Sequence, residues 1–467
     1  MATSDRPARM AAHAAVDTRQ KYHEEPMVTP DNTTVMTCMN AWSTRKLPLL
    51  NRSIINGTLR PQAMVEELSA LLRDVPSPDL FSLRETKQAL VHLSLAAASV
   101  VRHYQECDLA TDGELDLPLR LITVGADRTP FREYFNRLAD RSGTGHPHRD
   151  SYAALARWNV PTVEVIWRGE IVCRIPGAFE DGSIRTYTGD PGEVGFFSVL
   201  KRAEAVELAV NQILTEVINH LSDLSFRDAI HRLNTASALL ATVHRLNLDF
   251  ASTPPDEALR PDHFLDVFRQ FATHWDPGDI PPSGAQDVEF LKRDFLLGIN
   301  FPGYFQHVRR IFPSFLDDER ASLTRMASEP SLPSRLVSQS KIPGLQEAPA
   351  DLLRSAVRDD PRLAACYFLL QTNSRVASSH LMLTKKYLFK PHRDRERAGV
   401  PDGKLVSHRA GTTGMVEKLL ERLMQARKDH ELTFLDRTDR KFLMEAAGVE
   451  GEARISSKEA AEIVRFR

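Results

Sequence analysis

The chain has 467 residues, enough for one large domain or two ordinary ones. Its 60 Lys and Arg against 62 Asp and Glu leave a formal net charge of −2, without the basic excess a nucleic-acid backbone demands, so no nucleic-acid partner is expected. At 42% hydrophobic and 26% charged residues the composition excludes collagenous, mucin-like and wholly disordered chains.

No apolar run reaches the roughly 20 residues a membrane helix needs, so no membrane partner is expected. Met1-Ala2-Thr3 leads into a mixed Asp, Arg and His stretch with no apolar signal-peptide core. Cysteines at 38, 107, 173 and 366 form no CxxC and read as buried thiols of a reducing compartment. The expected location is cytoplasmic.

Residues 1–25 lack an apolar face and read as a flexible tail. Helical periodicity follows over Pro61–Leu72 and Leu83–Tyr104, with a short element near Leu119–Val124. Two β-branched runs around Arg168-Gly169 predict a hairpin over 163–175. Beyond it everything reads as helix: Val199–Leu221, Phe226–Leu246, His263–Phe271, Gln286–Leu297 and Tyr304–Phe312. Residues 327–350 read as an exposed connection. A long helix is expected over Pro361–Phe389, stopping where Lys390-Pro391 forces the chain out, and another over Met415–Lys428. Two short helices around Gly448–Ser457 close the chain. The fold class is mostly α with one small hairpin. It divides into the tail (1–25), an N-terminal helical region (26–180), a helical domain (181–430) and a C-terminal extension (431–467).

Dinucleotide, P-loop, HExxH and GxSxG signatures are absent, which removes nucleotide cofactors and zinc hydrolysis from the leading readings. His146-Pro147-His148 is either half of a metal site or a pair of exposed loop histidines. Asp317-Asp318-Glu319 reads as a helix start, Arg393, Arg395 and Arg397 as a solvated basic loop, and Cys366 as a core thiol. His380 stands apart. One turn before it lie Val376 and Ala377, and one turn after it Leu383 and Thr384, a face small and apolar enough for a flat ring to approach the imidazole. From spacing alone a hydrogen-bonded core histidine is the favoured reading.

Four stretches in order carry a resemblance: Leu47-Pro-Leu-Leu-Asn-Arg52; Arg185-Thr-Tyr-Thr-Gly189 with Pro191 and Glu193; Gly284-Ala285 with the helix to Gly298; and His380-Leu-Met-Leu with Gly411-Thr-Thr-Gly414. Over residues 47 to about 430 the chain resembles the monodechloroaminopyrrolnitrin synthase family, within the superfamily of tryptophan 2,3-dioxygenase and indoleamine 2,3-dioxygenase. The resemblance implies a helical domain binding haem b, with His380 as iron ligand and Tyr387, Gly411 and Gly414 beside the cofactor. Thr412 would be the catalytic hydroxyl, and Arg185, Tyr187, Thr412 and Thr413 would contact substrate. A turn-stabilising role fits Arg185 and Tyr187 equally well, and a cap on a helix starting at Met415 fits Thr412 equally well.

The implied activity is oxygenation of tryptophan, a substituted tryptophan or a related aromatic amino acid with O2, in secondary-metabolite biosynthesis. The alternatives are peroxide-dependent hydroxylation of tyrosine on the same scaffold, a haem- or ligand-binding protein without turnover, and a haem-free interaction scaffold. Relatives of this kind form monomers, dimers or tetramers, so a homo-oligomer is compatible. The sequence departs from the family at Thr413, which replaces a glycine, at Met415, which replaces a tyrosine, and at Tyr387, an aromatic one position early.

Overall fold

Helix starts follow the capping chemistry of the chain. The computed structural model describes residues 30–110, 114–143, 152–276, 279–340, 342 and 344–467. The expected tail at 1–25 and the His146-Pro147-His148 pair lie outside the described residues. Ser82 and Glu85 form a capping box ahead of the helix Leu83–Glu106. Asp190 accepts from Gly192 N at the head of Pro191–Asn219, and Ser225 from Asp228 N at the head of Phe226–Ala251. Asp360 accepts from Arg362 N at 3.1 Å where Arg362–Thr384 begins. Phe226–Ala251 packs against both Pro191–Asn219 and Arg362–Thr384, and this three-helix group frames the cavity given below.

The chain is mostly α, with two small antiparallel sheets among the described residues. One joins Thr123–Val124 to Thr129–Pro130. In the other the expected hairpin pairs Val163–Trp167 with Glu170–Ile175, and Arg168 and Gly169 both take positive φ (53° and 87°), as a tight right-twisted turn requires. That sheet has a third strand, Val464–Phe466, paired to Val163–Val165. The C-terminal extension therefore adds a strand to its short helices Arg440–Ala447 and Ser457–Ile463.

Several boundaries differ from the expected ones for local reasons. The helix foreseen from Val199 starts at Pro191, because Asp190-Pro191 supplies both cap and first turn. Residues 327–350 are not wholly an exposed connection: Leu332–Gln339 is a helix with Leu332, Pro333 and Leu336 buried. Pro391 does not end the His380 helix. A π-helical turn over Lys385–Phe389 widens the backbone, and the helix Lys390–Arg397 resumes with Pro391 in its first turn, where no N–H is needed. The last expected helix starts at Glu417 rather than Met415. Cys173 and Cys366 are buried, but Cys38 and Cys107 are exposed free thiols.

The apolar interior forms two large clusters. One draws on residues 36–197 plus Phe268, Phe271 and Trp275, the other on residues from Val163 to Val464. Cys366 is in the second, fully buried, and burial raises its thiol far above the usual range. No described helix is long and apolar enough to cross a membrane.

Candidate functional site

A cavity of about 300 Å³ opens between the Pro191–Asn219, Phe226–Ala251 and Arg362–Thr384 helices. Val376, Ala377, His380, Leu383 and Thr384 all line it, so the small apolar shoulders of the imidazole face the space. The ring is half-buried, with Phe290 edge-on at 5.8 Å. Burial, and then the nearby guanidinium groups of Arg427 and Arg293, push the His380 pKa down from 6.5 to about 4, against a smaller opposing effect of Asp294. At neutral pH the imidazole is therefore uncharged. Those arginines are held in place from behind. Arg427 grips Asp294 through two bonds of 3.1 and 2.6 Å, and Tyr304 donates to the same carboxylate at 2.6 Å.

The walls are aromatic. Phe196 meets Phe250, Phe264 and Phe268 with ring centroids 5.2–6.4 Å apart, and Tyr387 lies 5.6 Å from Phe250 and 6.1 Å from Phe264. The Tyr387 hydroxyl is buried without a hydrogen-bond partner, and so is that of Tyr152, which also lines the cavity. Phe264 and Phe268 belong to a π-helical turn, His263–Phe268, and Tyr387 to another.

Two of the family-like segments clasp each other to present Tyr187. Asn51 donates to Tyr187 O at 2.7 Å, and Arg52 to Thr188 O at 2.5 Å. Glu193 accepts from the N–H groups of Tyr187 and Thr188 and from the Thr188 hydroxyl. The Tyr187 ring stacks on Phe271 at 4.1 Å and contributes to the cavity wall.

Gly411, Thr412, Thr413 and Met415 line another side of the cavity. Gly411 N donates to Met415 O and Gly414 N to Gly411 O, both at 2.8 Å, so these N–H groups close the turn and are not offered to a ligand. Gly414 is outside the lining. Its φ of +77° and the 3.0 Å between an added Cβ and Arg310 Nη2 explain the glycine there. Two arginines brace the turn: Arg310 donates to Thr413 O at 2.6 Å, and Arg269 to Ser407 O at 2.9 Å and to Ala410 O. Thr412 is not a helix cap, since the following helix is preceded by Val416. The Thr413 hydroxyl is buried with no partner.

Arg185 does not reach the cavity. Its fully buried guanidinium binds Asn40, Asp181 and Ser183 O and lies 3.4 Å above the Phe179 ring. Two guanidinium groups do line the cavity, those of Arg269 and Arg427, and the Nε of Arg269 is unpartnered. Nothing in its surrounding sequence sets Arg269 apart. Sequence reading also missed Glu207 and Asp287, two buried acids in the same wall. Burial raises both carboxyls; for Asp287 the neighbouring acids Glu207, Glu204 and Glu289 add to it.

The residues fit a porphyrin on three counts. A neutral imidazole faces the space, the walls are flat and aromatic, and a guanidinium nitrogen and two tyrosine hydroxyls are buried without partners. His392, Asp402 and His408 form a separate cluster outside this lining.

No family model matches the chain. A stretch of 171 residues, 36% of the chain, is 29% identical to the tryptophan 2,3-dioxygenase of Nocardioides sp. (strain ATCC BAA-499 / JS614). The match spans about 60% of that protein's length.

Proposed function

We propose that the chain is a haem-dependent oxygenase acting on tryptophan, a substituted tryptophan or a related aromatic amino acid. The observation that carries the reading is the His380 imidazole, uncharged and facing an aromatic cavity. The partial likeness to a tryptophan 2,3-dioxygenase supports it. Haem b, held through His380, supplies the oxygen-activating chemistry when bound. A secondary-metabolic role follows from the resemblance to monodechloroaminopyrrolnitrin synthase.

The chain's own residues bind, orient and keep out water. Phe196, Phe264, Phe268 and Tyr387 exclude solvent and give an aromatic ring flat surfaces to pack on. Arg269 offers its free Nε to a carboxylate, and that of the substrate and a haem propionate are the two candidates. Thr412 and Thr413 present hydroxyls, and Thr413 Oγ1 lacks any other partner. Glu207 and Asp287 supply the acidic wall for an ammonium group or a shared proton.

The test is the absorption spectrum after haem-supplemented expression. The wild type is expected to show a Soret band with one haem per chain, and His380→Ala to lose or shift it. An unchanged band in the variant overturns the assignment. Tryptophan analogues are expected to perturb the band and tyrosine analogues not to; the reverse would favour tyrosine hydroxylation. Thr413→Val should leave unfolding stability within about 0.5 kcal/mol of wild type, because it deletes a hydroxyl already unpaired. The same variant is expected to weaken the substrate-induced Soret change, and no weakening would remove Thr413 from the substrate contacts.

A further inference from the structure

His408 is 1% exposed, and its two ring nitrogens have very different surroundings. Nε2 lies 3.3 Å from Leu265 O. The nearby Gln270 amide donates to Leu265 O at 2.8 Å and Val406 O at 3.2 Å, while its oxygen accepts from the N–H groups of Leu405 and Val406. Gln270 Nε2 also lies 3.3 Å from His408 Nε2, but both amide hydrogens have carbonyl partners, at 2.8 and 3.2 Å, so the imidazole is not needed as an acceptor there. The ring proton belongs on Nε2, directed at Leu265 O. That leaves the Nδ1 lone pair, which is buried without a hydrogen-bond partner and faces Asp402 Oδ1 at 3.5 Å. Two electron-rich atoms facing each other repel unless a proton or a metal cation lies between them.

We propose that His392, Asp402 and His408 bind one divalent transition-metal ion of the zinc class, at a site separate from the cavity. The three potential ligand atoms all lie within 4.8 Å of one another. Ligands held about 2.0–2.1 Å from a tetrahedral ion stand about 3.4 Å apart, which the His408–Asp402 pair already matches. His392, half-buried on the Lys390–Arg397 helix with its ring 6.4 Å from that of His408, closes the remaining gap by side-chain rotation.

The surroundings are those of a metal site. Leu265 O fixes the tautomer of His408, as a backbone carbonyl commonly does for a ligating imidazole. The Asp402 carboxylate is oriented by Gly403 N at 2.9 Å, His408 N at 2.7 Å and the Ser407 hydroxyl at 2.7 Å. Asp402 is exposed, which leaves an entry path. Two imidazoles and one carboxylate suit Zn²⁺, Co²⁺ or Fe²⁺ and leave a position for water. Of the neighbouring charges, Asp266 favours a cation here, while Arg269 and Arg409, whose Nε lies 3.8 Å from Asp402 Oδ2, oppose it. The ion would clip residues 402–408 to the Lys390–Arg397 helix only a few residues before Thr412 and Thr413. It would therefore stiffen the wall that those hydroxyls occupy.

The experiment titrates tag-free, full-length protein with Zn²⁺ against a chromophoric chelator. The wild type is expected to bind one equivalent, and His392→Ala and Asp402→Asn each to bind at least about 10-fold more weakly. Co²⁺ should give visible d–d absorption in the wild type that His392→Ala abolishes. Zn²⁺ should slow tryptic cleavage after Arg409 in the wild type alone. His380→Ala is expected to keep wild-type zinc affinity, which separates this site from the cavity. Three outcomes would each overturn the assignment: no binding by the wild type, binding that survives both substitutions, or binding lost in His380→Ala.

Discussion

Between pH 6.5 and about 3, the wild type is expected to lose stability faster than a His103→Asn variant, by about 1.4 kcal/mol for each pH unit. His103 lies on the Leu83–Glu106 helix, is 1% exposed, and pairs Nε2 with Asn51 Oδ1 at 2.7 Å. Burial, followed by the adjacent Arg102 charge, pushes its pKa from 6.5 down to about 3. Within that window the unfolded chain takes up a proton that the folded chain refuses. The folded state is therefore fully favoured above pH 6.5 and loses ground as pH falls. His92, on the same helix and bonded through Nδ1 to Ser43 at 2.7 Å, is also pushed down to about 3. Replacing both should about double the difference in slope. The buried acids Glu204, Glu207 and Asp287 titrate in the opposite sense, but they are common to wild type and variants and cancel in the comparison. Urea unfolding at stepped pH reads the slope. Parallel curves would mean that the imidazoles accept protons without unfolding.

Periodicity made the long helices legible, and the shoulders of His380 made its cavity-facing side legible, because both depend on residues three and four apart. The Asn51–Tyr187 clasp was visible only as two separate motifs; that they touch depends on contacts 136 residues apart in sequence. Substrate roles were harder to place for the same reason. Arg185 sits in a conspicuous motif, yet its charge is taken up by Asp181 and Asn40, whereas Arg269 faces the cavity from an unremarkable stretch. Pro391 misled because a π-helical turn, which has no composition signature, absorbs it. The helix Pro30–Ala41 escaped because its sequence, PDNTTVMTCMNA, has almost no apolar stripe; Met36 and Met39 are its buried apolar side chains. The Val464–Phe466 strand is three residues long and is specified by its partner Val163–Val165, 301 positions away at the Glu164–Arg465 pair.

The second large effect is expected from Arg293→Ala, which should lower the unfolding free energy by about 3–5 kcal/mol. Arg293 is fully buried, donates to Glu207, and lies 4.6 Å above the Phe290 ring. Removing it leaves the buried Glu207 carboxyl beside Asp287 without its cation, and the loss of the alkyl stem leaves a void beside Phe290. Arg293→Met keeps most of that volume and separates the two costs: a loss close to that of alanine assigns the effect to the stranded charge. Adding Glu207→Gln to Arg293→Met should then recover much of the stability, because an apolar and a neutral side chain replace an ion pair without leaving a buried charge. If Arg293→Ala costs less than about 1 kcal/mol, Glu207 is protonated in the native state and the pair is not ionic. The substitution also reaches the candidate site. The Arg293 charge helps to hold the His380 pKa down, so its removal should raise the pH below which that imidazole is protonated.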